Sequence, residues 1–449
     1  MRGCNSDKDC RKEEGYVCDT THKACTLPGF GVVEAKVCKT KSATRDAAFG
    51  ASELWTTSAA PGIYQVEPSA VLTADGGVVA IYMTRGKTLD ANVLGVSRVD
   101  GKGEKTLDSP LKSERANHFD PWIARDRSGK LYAVWLGFDT QESHQEIALA
   151  TSTDNGATWS SPMTVHEPGD CQEGTRDCLD KPMVVIGNEP KGKGEIVYVM
   201  YSGGEIGLRV RASKDGGKTF GPPVTALAGI YGNAVVAPDG KLHIVTLNSG
   251  PRGAYGSADA KVEYAVSADG GATFSKPVKI SAPDEMLPFF FSNASIAVDS
   301  KRKWIYIAYV RGGGDGKWDI MLATSKNGAK WKRTRLAGDS CAIHMVPNVA
   351  LDAKTGTLHV AYYDTEGERR FAHASCVAGG TKCKVLGAIN SQPFAALSTV
   401  RHSSKWLGEY QSLLVDDKRR VLHAVWSQTV DESGKPITRV FHASAKLKP

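Results

Sequence analysis

The chain of 449 residues has no run of 18 apolar side chains, which removes a membrane-spanning helix from the expected elements. No long helical periodicity appears anywhere along it, so helices are not expected to organise the fold. Its basic residues form no stripe interleaved with aromatics, and nucleic acid is therefore not an expected partner. It has no C-x2-C pair beside a histidine cluster, so neither a zinc site, another metal nor a cofactor is expected. It also shows no signal peptide, because Met1-Arg2-Gly3-Cys4 leads straight into polar sequence.

What is present points elsewhere. The 47 glycines suit many short strands and tight turns, and the formal charge of +7 is scattered, giving only a mild attraction to acidic ligands such as anionic glycans. Ten cysteines fall into local groups. Cys4, Cys10, Cys18 and Cys25 crowd the first 30 residues, Cys171 and Cys178 flank one polar loop, and Cys376 and Cys383 flank another. Cys38 and Cys341 are left for each other or for a reshuffled pairing. An even count with short loops reads as disulfides formed in an oxidising compartment. A secreted, periplasmic or cell-surface protein is expected, its signal peptide absent from this chain.

The most informative stretch is 148–162, ALATSTDNGATWSSP. Ser152, Asp154, Gly156, Thr158 and Trp159 spell S-x-D-x-G-x-T-W after an apolar-alternating strand. An Asp carboxylate accepts backbone N–H groups just ahead of it, and Gly supplies positive φ, so the unit encodes a tight turn closed by a buried aromatic. Ser213, Asp215, Gly217, Thr219 and Phe220 repeat it. So do Ser267, Asp269, Gly271, Thr273 and Phe274, with a weaker copy at Ser325, Asn327, Gly328 and Trp331. Repetition at this scale marks a repeat architecture.

Seven segments also share one grammar. Each has an apolar strand with a turn, then a strand rich in Tyr, Val, Ala and Trp, then a third strand, at a period of about 50–65 residues. The first strands begin near Pro68, Asp120, Lys181, Gly232, Ser292, Val346 and Tyr410. The last segment has room for only three strands, and the N-terminal stretch ELWTTSAAPGIYQ is placed to complete it and close the ring.

The S-x-D-x-G-x-T-W units resemble the Asp-box (BNR) repeat of sialidase-type β-propellers. The resemblance spans roughly residues 64–430. It implies an all-β β-propeller; the seven repeated segments make it a seven-bladed β-propeller, with six blades as the alternative because sialidases have six. The expected organisation is a small Cys-rich disulfide segment at 1–29, a linker and closing outer strand at 30–66, and the propeller at 67–449.

Residues at the start of the innermost strands, and on the loops between strands, converge on the central channel of such a ring. That geometry selects Gln65, Glu67, His118, Asp120, Asp180, Lys181, Tyr231, Asn293, His344, Glu409 and Tyr410, with Arg85, Asp90, Arg252, Arg311, Asp315 and Asp364 on loops. Arginines bind carboxylates bidentately, and carboxylate pairs run glycoside hydrolysis, in which some sialidases use a Tyr nucleophile. The family resemblance implies Asp90 or Asp120 as acid, Arg85, Arg252 and Arg311 as clamps on an anionic sugar, and Tyr410 as nucleophile or polariser. His118, Asn293, His344, Glu67 and Glu409 complete the expected binding set. Each has a structural alternative: a solvated loop for Asp90, a turn cap for Asp120, rim ion pairs for the arginines, a core ring for Tyr410 and hydrogen-bonded positions for the two histidines.

Two departures from the family stand out. YQVEP carries Gln65 and Glu67 where sialidases have an Arg, and the Glu that serves their Tyr as base has no match. Glu409 is a poor substitute on a strand, where adjacent residues face opposite sides. The expected activity is an exo-acting glycoside hydrolase on anionic or complex glycans. The alternatives are a non-catalytic glycan- or protein-binding propeller, and a polysaccharide lyase in which a Tyr or His abstracts a proton beside a uronate. The expected partner is a glycan or other extracellular substrate, and the expected state is a monomer.

Overall fold

A computed structural model describes residues 6, 8, 17–20, 24–26, 44–55, 64–85, 92–101, 105–139, 144–171, 178–203, 206–248, 260–283, 285, 287, 293–312, 318–338, 343–365, 370–395 and 405–448. Seven four-stranded antiparallel sheets follow one another around a ring. Six of them run in chain order, from inner to outer strand. The inner strands are Tyr64–Leu72, Asn117–Arg125, Asp180–Asn188, Ile230–Val236, Ser295–Asp299, His344–Leu351 and Ser412–Asp416. Each touches the next and the seventh touches the first, so the ring is closed. The fold is a seven-bladed β-propeller, and the six-bladed alternative is excluded.

Blade seven joins the two ends of the chain. Its strands Ser412–Asp416, Val421–Glu432 and Lys435–Lys446 are completed on the outside by Glu53–Leu54. Glu53 pairs with His442 and Leu54 with Phe441, and the Trp55 amide donates to the Val440 carbonyl at 2.9 Å. Trp55 itself is fully buried, stacked on His442 with ring centroids 4.6 Å apart.

The second strands explain why apolar runs mark the blades so clearly. Leu131–Phe138 is buried at every position because each blade is covered on both faces by its neighbours. The S-x-D turns then stitch blade to blade. In blade two, Ser152 Oγ donates to Asp154 Oδ1 at 2.8 Å and accepts the Gly156 amide at 2.9 Å. Asp154 in turn accepts the Thr158 amide and hydroxyl at 2.9 and 2.6 Å. Blades three and four repeat these contacts at Ser213 and Ser267, while in blade five Asn327 Oδ1 accepts the amides of Ala329 and Lys330. The glycine of each turn sits against the preceding blade. Gly217, at φ 82°, leaves its Cβ position 3.0 Å from the Tyr132 ring, and Gly271, at 86°, leaves its own 3.1 Å from Tyr198.

Two of the expected disulfides are formed, Cys171–Cys178 and Cys376–Cys383. Cys18, in the short hairpin Val17–Asp19 and Ala24–Thr26, is disulfide-bonded as well. The side chains of Cys4, Cys10, Cys25, Cys38 and Cys341 lie outside the described residues.

Candidate functional site

One local device recurs at the start of the inner strands. In blades one, two, three and six a residue with positive φ precedes a proline: Glu67 at 57°, Asp120 at 53°, Lys181 at 47° and Val346 at 52°. In blade four Tyr231, at 53°, precedes Gly232. The ladder slips at each of these places, between Val66 and Ser69, Phe119 and Trp122, Asp180 and Met183, Ile230 and Gly232, and Met345 and Asn348. A proline has no N–H to offer a ladder, so the slip forfeits nothing there, and the bulge re-aims the side chain before it. Left-handed backbone costs a non-glycine residue about 1 kcal/mol or more, and five such residues in one ring mark a place where local strain is held for a purpose. Asn293 and Tyr410 stand at the matching places ahead of the inner strands of blades five and seven.

These side chains meet on the axis around Lys181. Its Nζ lies 2.9 Å from Asp120 Oδ1, 2.8 Å from Glu409 Oε2 and 3.8 Å from Glu67 Oε1. It also lies 3.3 Å from the Tyr410 hydroxyl and sits over the rings of Tyr410 and Tyr231, 4.9 and 5.5 Å from their centroids. The Tyr410 hydroxyl donates to Asp120 Oδ1 at 2.5 Å, and the Glu409 amide donates to Glu67 Oε1 at 3.0 Å. Side chains of blades one, two, four and seven thus meet at the one ammonium supplied by blade three.

The electrostatics of this hub follow from its burial. Desolvation pushes the Asp120 carboxyl up, but the Lys181 charge and the hydrogen bonds from Tyr410 and Lys181 outweigh it and hold the group at about 2. Burial pulls Lys181 down, and the charges of Asp120 and Glu409 more than reverse that, leaving it well above the usual lysine value. Burial and the neighbouring Asp120 and Glu67 charges push the Tyr410 phenol well above its ordinary range. The ground state is therefore an ionised Asp120, a charged Lys181 and a neutral Tyr410 that donates its proton.

Against the hub lies a small cavity of about 30 Å³ that opens on the axis, lined by residues that include Trp122, Tyr231, Asn293, Asn348, Tyr410 and Gln411. Blade seven is tied into it from two sides. Asn293 Nδ2 donates to the Glu409 carbonyl at 3.0 Å, and Asn348 Nδ2 to the Gln411 carbonyl at 2.9 Å. Gln411 Nε2 donates to the Val346 carbonyl.

The residues expected from sequence divide into three groups. Asp120, Tyr410, Glu67 and Glu409 converge on Lys181, and Asn293 lines the same cavity. Glu409 and Tyr410 both reach Lys181 although they are adjacent, where strand alternation would send them to opposite sides. The strand begins only at Ser412, and Gly408 turns the chain at φ 77°, so the alternation rule does not govern them. The second group is engaged elsewhere. His118 Nδ1 donates to the Asn92 carbonyl at 2.7 Å while its Nε2 accepts the Ser113 amide at 2.9 Å. His344 Nδ1 donates in the same way to the Trp318 carbonyl at 2.9 Å, with its Nε2 3.3 Å from Asp364. Arg311 pairs with Asp319 and lies 3.9 Å from Glu285. Arg85 is buried with its guanidinium 5.4 Å from the Phe119 centroid. The third group, Asp90 and Arg252, lies outside the described residues, as does Asp315.

Lys181 and Tyr231 are among the residues that the axial geometry selects without a role, and the cavity residues Trp122, Asn348 and Gln411 are not among them. The signal was present for Lys181: like Glu67 and Asp120 it stands directly before a proline at an inner-strand start. Among the described residues no group of three His, Cys, Asp or Glu side chains is arranged to hold a metal, and no helix is long and apolar enough to cross a membrane.

Solved structures with a similar course of chain include β-propeller glycoside hydrolases. An alpha-L-arabinanase from Penicillium chrysogenum, complexed with arabinobiose, is 13% identical over 88% of this chain and 98% of its own, with a TM-score of 0.49. A Hadza microbial sialidase is 17% identical over 67% of this chain and 64% of its own, at 0.46. A protein of unknown function from Dyadobacter fermentans is 12% identical over 94% of this chain and 100% of its own, also at 0.46. No protein-family model matches the chain, and no curated protein sequence matches it. Likeness at this level bears on architecture alone.

Proposed function

We propose that the protein is a carbohydrate-active enzyme, a glycoside hydrolase whose chemistry sits in the axial cavity. One observation carries this reading: Asp120 and Glu409, from different blades, share a single buried ammonium at 2.9 and 2.8 Å. Two oxygens so placed are less than about 6 Å apart, short of the 6.5–9.5 Å that inverting glycosidases need for a water, which leaves the retaining arrangement. Asp120, held ionised near 2, suits the nucleophile or charge-stabilising role, and Glu409 the acid/base role. Tyr410 serves as a polariser. Its raised phenol beside a depressed carboxylate makes proton transfer to Asp120 steeply uphill, which argues against Tyr410 as the nucleophile.

The charge balance favours an uncharged sugar over the anionic one expected from sequence. Three carboxylates surround one ammonium, and Arg311 is spent on Asp319. We read residues 1–29 as a stapled spacer, 30–66 as linker and closing strand, and the disulfides as the mark of secretion into an oxidising compartment.

The test is turnover of a panel of neutral aryl furanosides and pyranosides beside aryl sialosides. Neutral substrates are expected to be cleaved, with Asp120→Asn and Glu409→Gln each lowering kcat by about 10³-fold or more and Tyr410→Phe by less. No cleavage by the wild type, or undiminished cleavage in both carboxylate variants, removes the assignment. A second reading, glycan binding without catalysis, is favoured by the burial and mutual pairing of the hub residues. A glycan array showing capture of a sugar that is never hydrolysed would select it.

A further inference from the structure

The outer strands of three successive blades carry cations with no balancing acid. The outermost segments 275–283 of blade four, 326–338 of blade five and 377–388 of blade six contain no Asp or Glu. Lys276 and Lys279 are exposed on the first, Lys332, Arg333 and Arg335 on the second and Lys384 on the third. The three segments are contiguous. Arg333 Nη1 donates to the Ile280 carbonyl at 3.2 Å, joining blade five to blade four, and the strand Lys332–Ala337 touches Cys383–Ala388 of blade six. Other outer segments do not repeat this. The outer strand of blade one, Lys105–Leu111, carries Asp108 beside its lysine, that of blade two, Met163–Thr164, bears no charge, and neither does 221–229 of blade three, GPPVTALAG.

We propose that this wall binds a linear polyanionic polysaccharide, independently of the axial cavity. Lysines on edge strands also deter pairing between sheets, but that role asks for cations on every blade and does not account for their gathering on three neighbours. A row of cations along adjoining strand edges matches an extended chain with regularly spaced sulfates or carboxylates, and the guanidinium of Arg335 offers a fork to each. The observations favour this partner over nucleic acid or lipid. Of the tryptophans beside the row, Trp331 is half-buried, its indole N–H donated to Gly328 and its ring set edge-on to Tyr264, and Trp304 is half-buried against Gly379 with Lys326 Nζ 4.1 Å from its centroid, so neither presents an open stacking platform for bases. The disulfides of this chain belong to compartments where anionic glycans are common partners. The outer wall of a ring is convex, and a flat bilayer would meet only part of the row.

The experiment uses the full chain and measures binding to dextran sulfate and polygalacturonate, with neutral dextran, a DNA duplex and phosphatidylserine vesicles as the other arms. Binding to the two polysaccharides at an ionic strength of about 0.15 M, weakening as salt rises, is expected. Lys332→Glu/Arg335→Glu should weaken it by roughly tenfold or more. Lys191→Glu/Lys193→Glu, exposed on blade three and of equal charge change, should leave it within about twofold. Equal loss in both double variants would reduce the effect to net charge and overturn the proposal. So would retained binding in the first, or tighter binding to DNA or vesicles than to either polysaccharide.

Discussion

His359 and His373 stack in blade six with ring centroids 5.3 Å apart, and Nδ1 of the first lies 3.1 Å from Nε2 of the second. Blade seven repeats the arrangement with His423 and His442, at 5.4 and 3.1 Å. The first pair ends on the N-terminal segment, where His373 Nδ1 donates to Asp46 Oδ2 at 2.7 Å. With the proton on Nδ1, a neutral His373 accepts at Nε2, and His359 donates to it from Nδ1.

A pH dependence follows from this pairing. Burial and the neighbouring imidazole His373 bring His359 down to about 4, and burial alone as first cause brings His243 to about 4. Burial also lowers His118, His166 and His423. The folded values lie below the unfolded one, near 6.5, so between the two the unfolded chain binds more protons and stability falls as pH falls. His359 and His243 should each withdraw about 2 kcal/mol between pH 7 and pH 5. Urea midpoints taken across that range should show the decline, and His359→Phe should flatten it. A midpoint independent of pH would contradict the pairing.

Removing the central ammonium should be worse than removing one of its acids. Lys181→Met leaves Asp120, Glu409 and Glu67 facing one another in a buried site and is expected to cost about 3–5 kcal/mol, read as a drop in urea midpoint. Asp120→Asn should cost less. The stabilisation from Asp120 has the same pH sense as that of the histidines but a lower window. Its folded value of about 2 is below the unfolded carboxyl near 3.9, so its contribution is present above pH 4 and is lost as pH falls toward 2. The variant should accordingly show a weaker decline in that acid window.

Trp55→Ala tests how much the closing strand contributes. The ring is fully buried against His442, and its loss should lower stability by about 3–5 kcal/mol. If blade seven unfolds separately, denaturation followed by near-ultraviolet circular dichroism should become biphasic. A midpoint within experimental error of the wild type would mean that residues 53–55 are dispensable to closure.

The S-x-D turns can be probed at their buried hydroxyl. Ser213→Ala removes the acceptor of the Gly217 amide and the donor to Asp215, and should cost about 1–2 kcal/mol by chemical denaturation. Ser152→Ala and Ser267→Ala should match it, since both make the same two bonds. An effect confined to one blade would show that the turns are not equivalent.

The blades were legible in sequence because burial on both faces forces an unbroken apolar run, as in Leu131–Phe138, and because Ser152 to Trp159 spells a turn out of neighbouring residues. The hub was legible only in part. Asp120 and Tyr410 stand at inner-strand starts, which geometry alone selects, but their hydrogen bond joins residues 290 positions apart and leaves no local trace. Lys181 shares the residue-before-proline position of Glu67 and Asp120, which puts it on the axis, but its role shows only when other blades bring three carboxylates to it. Arg311 misled for the converse reason: its partner Asp319 is across a hairpin, and an arginine at a rim looks available until that neighbour is placed.

The bulges ahead of Pro68, Pro121, Pro182 and Pro347 also bear on how such a ring could be re-engineered. Each bulged residue is uncoupled from the body of its blade by an interrupted ladder, so exchanging it alters what the axis presents while the strand behind keeps its register. Positions 67, 120 and 181 share one ion cluster and have to be exchanged together, whereas 231 and 346, which bear no charge, can be varied one blade at a time. A library built on that division would sample new ligands while the strands behind keep their register.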